Sequence, residues 1–587
     1  DSFGGAIVPQ ASDIFAPGRD PSRANLLFRG EFGRSFSFSW GAATSDEQRQ
    51  FNLVSTASRL IGNHQLKVGV DYRRMFPLIG GGGSGLFEVV SVSSIFGDDI
   101  VNGQLLEYEI ANGDPVSRVP IFSSLSAFIQ DTWHPSTRLT LTYGGRFERV
   151  PPPTETTGRL PRVVLGIDND VLKNLRLAPP GTKLWRGRFG EFAPRVGGAY
   201  QLITRAGRET TIRGGVGVMY DLDWGSIANA FGTSYPFVAD KSLCCELSFP
   251  LSAAIRTPPV LGVDPPGRLT VVDPNLRQPY TIQWNTTVEQ SLGSAQVVSG
   301  SYVGSTGRRL IESQFYPSQS LADFPNVRTS LNITRSIGLS SYKALQIQYR
   351  RRLQRGLQAL GSYTLAQSRD TASFVNSITP ATRVGGVLDN EFAPSDFDVR
   401  HVFSAAVTYD VPKLSAPTFA RKVLRDWGLD LLVRYQSAIP VNPTASSVLA
   451  SDGTFYISRP DLVPGQPLYV DDPTVPGGRR FNNAAFKRPA AGTQGNFPRN
   501  GLRGFPASQI DLALRRQFAF GENVRLQLRG ELFNVFNHPN FGPVNTSITS
   551  PLFGQPTQML NRSLGGLNAL YQMGGPRSGQ LAVKVVW

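Results

Sequence analysis

Enzymes and metal proteins need nucleophiles, acids or ligands at set spacings, and this chain offers few of them. Its two cysteines are adjacent, Cys244 and Cys245, and its four histidines, His64, His134, His401 and His538, stand singly with no HExxH or His/Cys cluster. Two neighbouring thiols do not make a metal site; they read as a loop pair that would oxidise in an oxidising compartment. Glu107 with Glu109, and Asp471 with Asp472, come nearest to a glycosidase carboxylate pair. Nothing brings two of them to a shared cleft, so they read as solvated loop charges. Gly80 to Gly85 spells GGGGSG; it lacks the Gly-Lys-Ser/Thr of a phosphate loop and opens no helical pattern, which fits a loop tip. Asn285 and Asn332 begin glycosylation-type triplets, but the first lies inside a strand pattern. These residues predict a protein that is not an enzyme, with no catalytic residue, no cofactor and no metal.

The remaining chemistry belongs to charge. There are 59 Lys and Arg against 44 Asp and Glu, a net charge of +15. The cations are spread along the chain, with Arg350, Arg351 and Arg352 as the densest run and no nucleic-acid motif, so no nucleic-acid partner is expected. Anionic lipopolysaccharide or an acidic ligand accounts for the charge more simply.

The elements that hold these cations must be strands. Sixty Gly and 43 Pro in 587 residues leave little room for long helices. At 40% hydrophobic the chain is too apolar for disorder, and a mean hydropathy of −0.16 is too low for a helical membrane protein. No apolar run reaches the roughly 18 residues of a transmembrane helix. A β-barrel escapes that test because its strands alternate. Leu345, Ile347, Tyr349 and Leu353 share one phase, and Gln346, Gln348, Arg350 and Arg352 the other. The same two-faced pattern marks Leu66, Val68, Val70 and Tyr72 against Gln65, Lys67, Asp71 and Arg73, and Leu581, Val583, Val585 and Trp587 against Ala582 and Lys584.

About sixteen such segments of membrane-crossing length are recognisable, from Leu26–Trp40 to Gln580–Trp587. Their connections alternate short and long: Gly62 with Asn63, Arg205 to Gly207, Gln354 with Arg355 and Ala519 to Glu522 are short. Leu222 to Pro279, Thr306 to Tyr342, Ile439 to Ala507 and Asn537 to Gly579 are long. The pattern predicts an all-β, transmembrane, antiparallel up-and-down β-barrel with short turns on one side and long loops on the other. Tyr72, Trp133, Tyr143, Tyr220, Trp284, Tyr409, Trp427 and Tyr435 sit near strand ends, where an interfacial girdle needs amphipathic rings. By phase, Arg73, Arg146, Arg350, Arg352, Arg434, Arg525 and Arg529 point into the lumen, where they could draw an anionic ligand or pair with Asp71, Glu148, Asp430 and Glu531. An Arg in the lipid at mid-membrane would cost roughly 2–4 kcal/mol. Arg351 and Arg516 break phase and must therefore lie near an interface.

Several stretches resemble one family. Asn63 to Arg74 (NHQLKVGVDYRR), Ala127 to Glu148 (AFIQDTWHPSTRLTLTYGGRFE), Phe192 to Tyr200 (FAPRVGGAY), Tyr280 to Gly307, Ser341 to Ser368 and Glu531 to Phe541 (ELFNVFNHPNF) look like the barrel of TonB-dependent outer-membrane receptors. Phe481 to Gly504 is similar to a loop of the Oar-like branch. The resemblance implies a 22-stranded barrel in the outer membrane of a Gram-negative-type bacterium, with periplasmic turns, extracellular loops and an N-terminal plug domain. Its partners would be outer-membrane lipid and lipopolysaccharide, TonB-ExbB-ExbD acting through the plug, the barrel-assembly machinery, which would recognise Trp587 at the last strand's periplasmic end, and a surface lipoprotein. On this reading residues 1–25 are a lead-in or loop and 26–587 the barrel, while the plug and about six early strands lie upstream or are absent. The implied function is energy-coupled uptake or export of an unidentified ligand through the plugged lumen. A passive porin or a surface-exposed structural or adhesive barrel is the alternative, and a soluble β-rich enzyme, extractable by salt without detergent, is the third reading.

Overall fold

The computed structural model describes residues 24–31, 35–41, 47–79, 86–92, 104–114, 116–168, 171–187, 190–221, 224–248, 252–373, 392–411, 426–449, 455–490, 494–520, 524–560 and 574–586. The alternating segments pair with their sequence neighbours because a two- or three-residue turn leaves no other antiparallel partner within reach. One sheet of eighteen strands dominates. Fifteen of them form a single antiparallel series in chain order: β1 (Glu47–Ile61), β2 (His64–Leu78), β3 (Pro120–Ser136), β4 (Leu139–Arg149), β5 (Glu191–Ile203), β6 (Thr210–Tyr220), β7 (Tyr280–Leu292), β8 (Gln296–Leu321), β9 (Phe324–Gln354), β10 (Leu357–Asp370), β11 (His401–Asp410), β12 (Trp427–Gln436), β13 (Ala507–Phe520), β14 (Val524–Phe533) and β15 (Ser578–Val586). The short strands Thr154–Glu155, Arg268–Val272 and Ala393–Pro394 complete the sheet.

Backbone geometry at the short turns follows their residues. Between β9 and β10 the chain reverses through Arg355 and Gly356, with φ of 54° and 79°, the left-handed pair that matches the twist of a tight hairpin. A Cβ at Gly356 would fall 2.1 Å from the Asp410 carbonyl oxygen, so only glycine fits there.

Two expected boundaries differ. Leu26–Trp40 is not one crossing strand. Ala24–Glu31 and Ser35–Gly41 form a hairpin in a separate five-stranded sheet with Leu86–Val92, Gln104–Gly113 and Val238–Ser248. At 8 and 7 residues each falls short of the roughly 9–11 that span a bilayer. The expected loop Thr306–Tyr342 is instead continuous strand: β8 and β9 run for 26 and 31 residues. Their ladder shifts register between Gly307 and Leu310 and again near Tyr316 and Leu321, so bulges bend the hairpin. Its upper part buries Leu331 and Ile333 against Leu269 and Val271 of the parallel-paired Arg268–Val272.

Packed apolar cores lie among the long connections. One joins Phe122, Leu184 and Trp185 to the helix Trp224–Thr233 through Ile227 and Phe231, and another gathers Phe481, Phe486, Phe497, Leu502 and Phe553. The wall itself has the opposite character. Leu53, Val70, Ile129, Val196, Ile347, Leu429, Leu514, Leu528 and Val583 all share one face of the sheet and are exposed. A continuous apolar band of that extent on an otherwise polar protein requires lipid, not water, against it.

The series ends on two edges. Among the described residues β1 pairs with β2 alone and β15 with β14 alone. Fifteen alternating strands leave β1 and β15 pointing the same way, so antiparallel closure takes an odd number of additional strands. In a bilayer those edge N–H and C=O groups have no water to bond, which makes closure obligatory.

Candidate ligand path through the lumen

Cross-strand register fixes which side chains share a face, and it carries the lumen face around the sheet. Asp71 lies opposite Ser126 and Ser126 opposite Glu148. Thr408 lies opposite Asp430, Asp430 opposite Ala513 and Ala513 opposite Glu531. On this face stand Arg73, Arg146, Arg350, Arg434, Arg525 and Arg529, and Arg352 continues the phase of Arg350 toward the short turn.

Three of the seven are ion-paired. Arg146 donates Nε to Glu148 at 2.7 Å and lies 3.5 Å from Asp71. Arg434 reaches Asp511 at 2.8 Å. Arg529 donates Nε to Glu531 at 2.7 Å and stands 3.2 Å from Asp430. These are the carboxylates that the alternation placed opposite them, with Asp511 added. Arg73, Arg350, Arg352 and Arg525 make no ion pair among the described residues.

Strands β11 to β14 concentrate this chemistry around a cavity of about 550 Å³ lined by Thr408, Asp430, Asp511, Arg515, Gln527, Arg529 and Glu531. Asp430 accepts from Thr408 at 2.9 Å and from Arg515 at 3.3 Å, and Arg515 also holds Asp410. Asp511 accepts from Gln509 at 2.8 Å and from the Asn534 backbone N–H at 2.9 Å. Arginines 434, 515 and 529 thus face Asp410, Asp430, Asp511 and Glu531, and the wall here carries no surplus of cation. Arg515 and Asp511 went unmarked in the sequence, although Ile510, Leu512 and Leu514 alternate with them.

All eight expected girdle aromatics fall on the opposite, outer face by register. Trp133, Tyr143, Tyr409 and Trp427 lie toward the short turns; Tyr72, Tyr220, Trp284 and Tyr435 lie toward the long connections. The lower belt is anchored: Tyr143 donates to Asp131 at 2.7 Å, His64 meets the same carboxylate at 2.6 Å, and the His64 ring stacks on Trp133 at 5.4 Å. Arg351 and Arg516 take the outer phase beside short turns, and Arg516 sits 5.3 Å from the Trp427 ring centroid.

At the long-loop end, a second cavity of about 430 Å³ opens where Gln436 and Ala507 leave the wall. Ile439, Val441, Phe505, Phe541, Val544 and Leu560 supply its apolar surface. Its ion pair is internal: buried Arg499 binds Asp370 and lies 3.3 Å from Asp396, which also accepts from Asn500 at 2.6 Å. Sequence reading had no signal for this cavity, because its walls come from three connections far apart in the chain.

The loops that frame this end carry their own electrostatic ties. Glu155 is buried and accepts from the backbone N–H of Val119 (3.1 Å), Thr157 (2.7 Å) and Arg159 (3.1 Å), and from the Thr156 and Thr157 hydroxyls. Burial pushes its carboxyl up, but the bonds from Thr157, Val119 and Arg159 outweigh that and hold it at about 2. Asp472 is held below its ordinary value by Thr474 and then Arg480, consistent with a solvated loop charge.

Trp587 and Gly80–Gly85 lie outside the described residues. Cys244 and Cys245, expected in a loop, fall instead in the strand Val238–Ser248, and Glu107 and Glu109, expected as loop charges, in its partner strand Gln104–Gly113, with their side chains outside the described set. Among the described residues, no group of three or more His, Cys, Asp or Glu gathers as metal ligands.

An antiparallel sheet that turns an apolar band and two aromatic belts outward, and ion pairs inward, is the wall of an outer-membrane β-barrel. The sequence profile described as "Outer membrane beta barrel domain" matches residues 9–565, and the chain belongs to that family, in the outer membrane of a Gram-negative-type bacterium. No curated protein sequence matches it. Solved structures of similar fold include the outer membrane transporter YddB from Escherichia coli (10% identity, 96% of this chain on 58% of that one, TM-score 0.47). The ferric enterobactin receptor PfeA from Pseudomonas aeruginosa (11%, 95% on 56%, 0.45) and the siderophore receptor PirA from Acinetobacter baumannii (9%, 95% on 56%, 0.43) are others. The chain spans less than two thirds of the length of each.

Proposed function

We propose that this chain is the barrel part of an energy-coupled outer-membrane transporter of the TonB-dependent type, of the Oar-like branch, moving a ligand inward or outward through a plugged lumen. One observation supports the reading: among the described residues fifteen long strands pair in series and the sheet still has two unpaired edges running the same way. Closure then takes at least one further strand, and a barrel wider than about fifteen strands encloses a lumen that side chains alone cannot fill. Such a lumen either leaks or is plugged. The arginines of its wall support the plugged reading, since Arg146, Arg434, Arg515 and Arg529 are tied to carboxylates and do not form the free cationic ring of an anion-selective pore.

On this reading residues 26–587 form one outer-membrane unit, with 1–25 leading into it. The short turns face the periplasm and the long connections the exterior. Trp587 serves barrel assembly, and outer-membrane lipid, lipopolysaccharide, the TonB-ExbB-ExbD system and a surface lipoprotein are the partners. Arg73, Arg350, Arg352 and Arg525, free of ion pairs among the described residues, are the lumen cations available to a plug or a passing ligand.

The test is the intact mass and N-terminal peptide map of the native polypeptide extracted from outer membranes. Peptides upstream of Asp1 that read as a plug are expected, with uptake abolished by collapse of the proton-motive force. A native chain that starts at Asp1 and conducts ions passively in planar bilayers would make it a porin.

A further inference from the structure

Positive charge gathers on one arc of the short-turn rim. The turn from β5 to β6 carries Arg205 and Arg208, and the end of β9 with the turn into β10 carries Arg350, Arg351, Arg352 and Arg355. The turn between β7 and β8 joins the two groups: the Gly293 N–H donates to the Gly207 carbonyl and the Arg352 N–H to the Ala295 carbonyl, both at 2.8 Å. Six arginines thus share one continuous edge, five of them exposed and Arg351 half-buried. The one carboxylate in these three turns is Glu209. Its own backbone N–H, that of Gly207 and then Ser291 hold its carboxyl below the ordinary value, so its bonds stay within the turns. The next carboxylates along the strands, Glu289 and Asp410, are held by Arg213 at 3.1 Å and by Arg515, and none of the six arginines makes an ion pair among the described residues.

What borders this edge says which anion it meets. Ile203, Leu292 and Leu353, the last apolar side chains before the three turns, are 42%, 47% and 58% exposed. They carry the bare apolar band of the wall down to the arginines. Arg351 lies on that outer face, opposite Gln296 and Ala359, where Tyr349 donates to Gln296 at 2.7 Å. The three connections have only six, three and two residues, too few to carry their side chains far out into the aqueous phase. The guanidinium groups therefore stand at the depth where acyl chains end and phosphates begin. All six cations are Arg, whose planar fork grips a phosphate through two parallel N–H···O bonds, where Lys would offer a point charge.

We infer that this arc of the rim selects anionic phospholipid from the leaflet on the short-turn side. Arg351 on the outer face, with Arg208 and Arg355 at the turns, binds the lipid phosphates, while Arg205, Arg350 and Arg352 add to the positive field. The inference rests on the reading that the short turns face the periplasm, the side on which the outer membrane's leaflet is phospholipid and not lipopolysaccharide.

The experiment uses the native full-length polypeptide purified in detergent, stripped of lipid and offered phosphatidylglycerol and phosphatidylethanolamine together at equal concentration, with retained lipids counted by native mass spectrometry. A preference for phosphatidylglycerol of at least about fivefold is expected, weakening as salt is raised. The combined variant Arg208→Gln, Arg351→Gln and Arg355→Gln should bring retention close to parity, whereas Lys at the same three positions should keep part of the preference. Arg149→Gln, at the long-loop end of β4, should leave it unchanged. Every variant is checked for heat-modifiable migration, the mark of a folded barrel. Equal retention of the two lipids by the wild type, or an undiminished preference in the Gln variant, would overturn the inference. So would displacement of phosphatidylglycerol by soluble polyglutamate at matched charge, which marks a surface for an acidic protein, or tighter retention of lipid A through the same three arginines. Orientation is read separately in cells from Ser294→Cys, which a membrane-impermeant maleimide should label above the wild-type background only after the outer membrane is permeabilised. Labelling in intact cells sinks the periplasmic reading and the choice of leaflet with it; protection there without lipid preference in detergent sinks the lipid site and leaves the orientation.

Discussion

Glu155→Gln tests whether one buried carboxylate pins the connection between β4 and β5 to the segment leading into β3. The side chain accepts five hydrogen bonds from Val119, Thr156, Thr157 and Arg159 at 2.7–3.1 Å while only 7% exposed. Holding its carboxyl at about 2 instead of an ordinary 4.5 corresponds to about 3 kcal/mol, or roughly 300-fold in the ratio of closed to open forms. The sign follows from the depression: the contribution is complete above about pH 5 and is lost as the pH falls from about 4.5 toward 2. Gln is isosteric but presents one acceptor oxygen, and in either orientation its NH₂ would face at least one of the backbone N–H groups of Val119, Thr157 and Arg159, which cannot accept. It should therefore open the junction by about 1–3 kcal/mol at neutral pH and remove the acid dependence. Hydrogen exchange at the amides of Val119, Thr157 and Arg159, corrected for intrinsic rates and compared between pH 7 and pH 3, reads this directly. Equal protection at the two pH values in the wild type, or identical protection in wild type and Glu155→Gln, would refute the reasoning.

Four further predictions concern the wall and its ends. Asp511→Asn breaks a pair with Arg434 that the Asn534 backbone N–H and Gln509 also support; unfolding in urea should show about 2–4 kcal/mol less stability, and an unchanged midpoint would mean that Arg434 finds another partner at no cost. Leu528→Arg puts a charge on the lipid face and should cost about 2–4 kcal/mol of membrane folding, whereas Gln527→Arg, one residue away on the lumen face, should cost little; equal penalties would contradict the register of β14. Gly356→Val meets both a left-handed backbone and the Asp410 carbonyl, so the fraction of heat-modifiable, assembled barrel should fall by at least half in membranes at equal synthesis; full assembly would show that the turn adapts. Deleting Trp587 should also lower assembled barrel at equal synthesis if it serves as the assembly signal.

How legible each feature was depended on whether its cause is local. Alternation is local: Leu66, Val68, Val70 and Tyr72 against Lys67, Asp71 and Arg73 is a pattern of period two that the sheet must obey, and β2 follows it. Register then puts the eight aromatics expected in a girdle on one face and Arg73, Arg146, Arg350, Arg434, Arg525 and Arg529 on the other. The hairpin of β8 and β9 was hidden because Pro317, Pro325 and several glycines resemble loop punctuation, while its actual support comes from Arg268–Val272, more than fifty residues upstream. The cavity at the long-loop end was beyond reach for the same reason: Asp396, Asn442, Arg499 and Phe541 meet only once three connections fold together.

Charge shows most clearly why composition alone misleads. A net charge of +15 suggests a lumen that attracts anions, yet its mid-wall arginines are matched by Asp71, Glu148, Asp430, Asp511 and Glu531. Among the lumen cations without an ion pair, Arg350 and Arg352 stand beside the turn at Arg355 and Gly356, and Arg525 lies next to the start of β14. Unpaired cations therefore stand mainly at the short-turn end, with Arg73 farther along β2, and carboxylates outnumber the arginines they tie along the middle of the path. Exposed charges are screened within about 8 Å at physiological salt, so the unpaired cations beside the short turns act on a ligand only once it has passed the carboxylate-rich stretch of the wall.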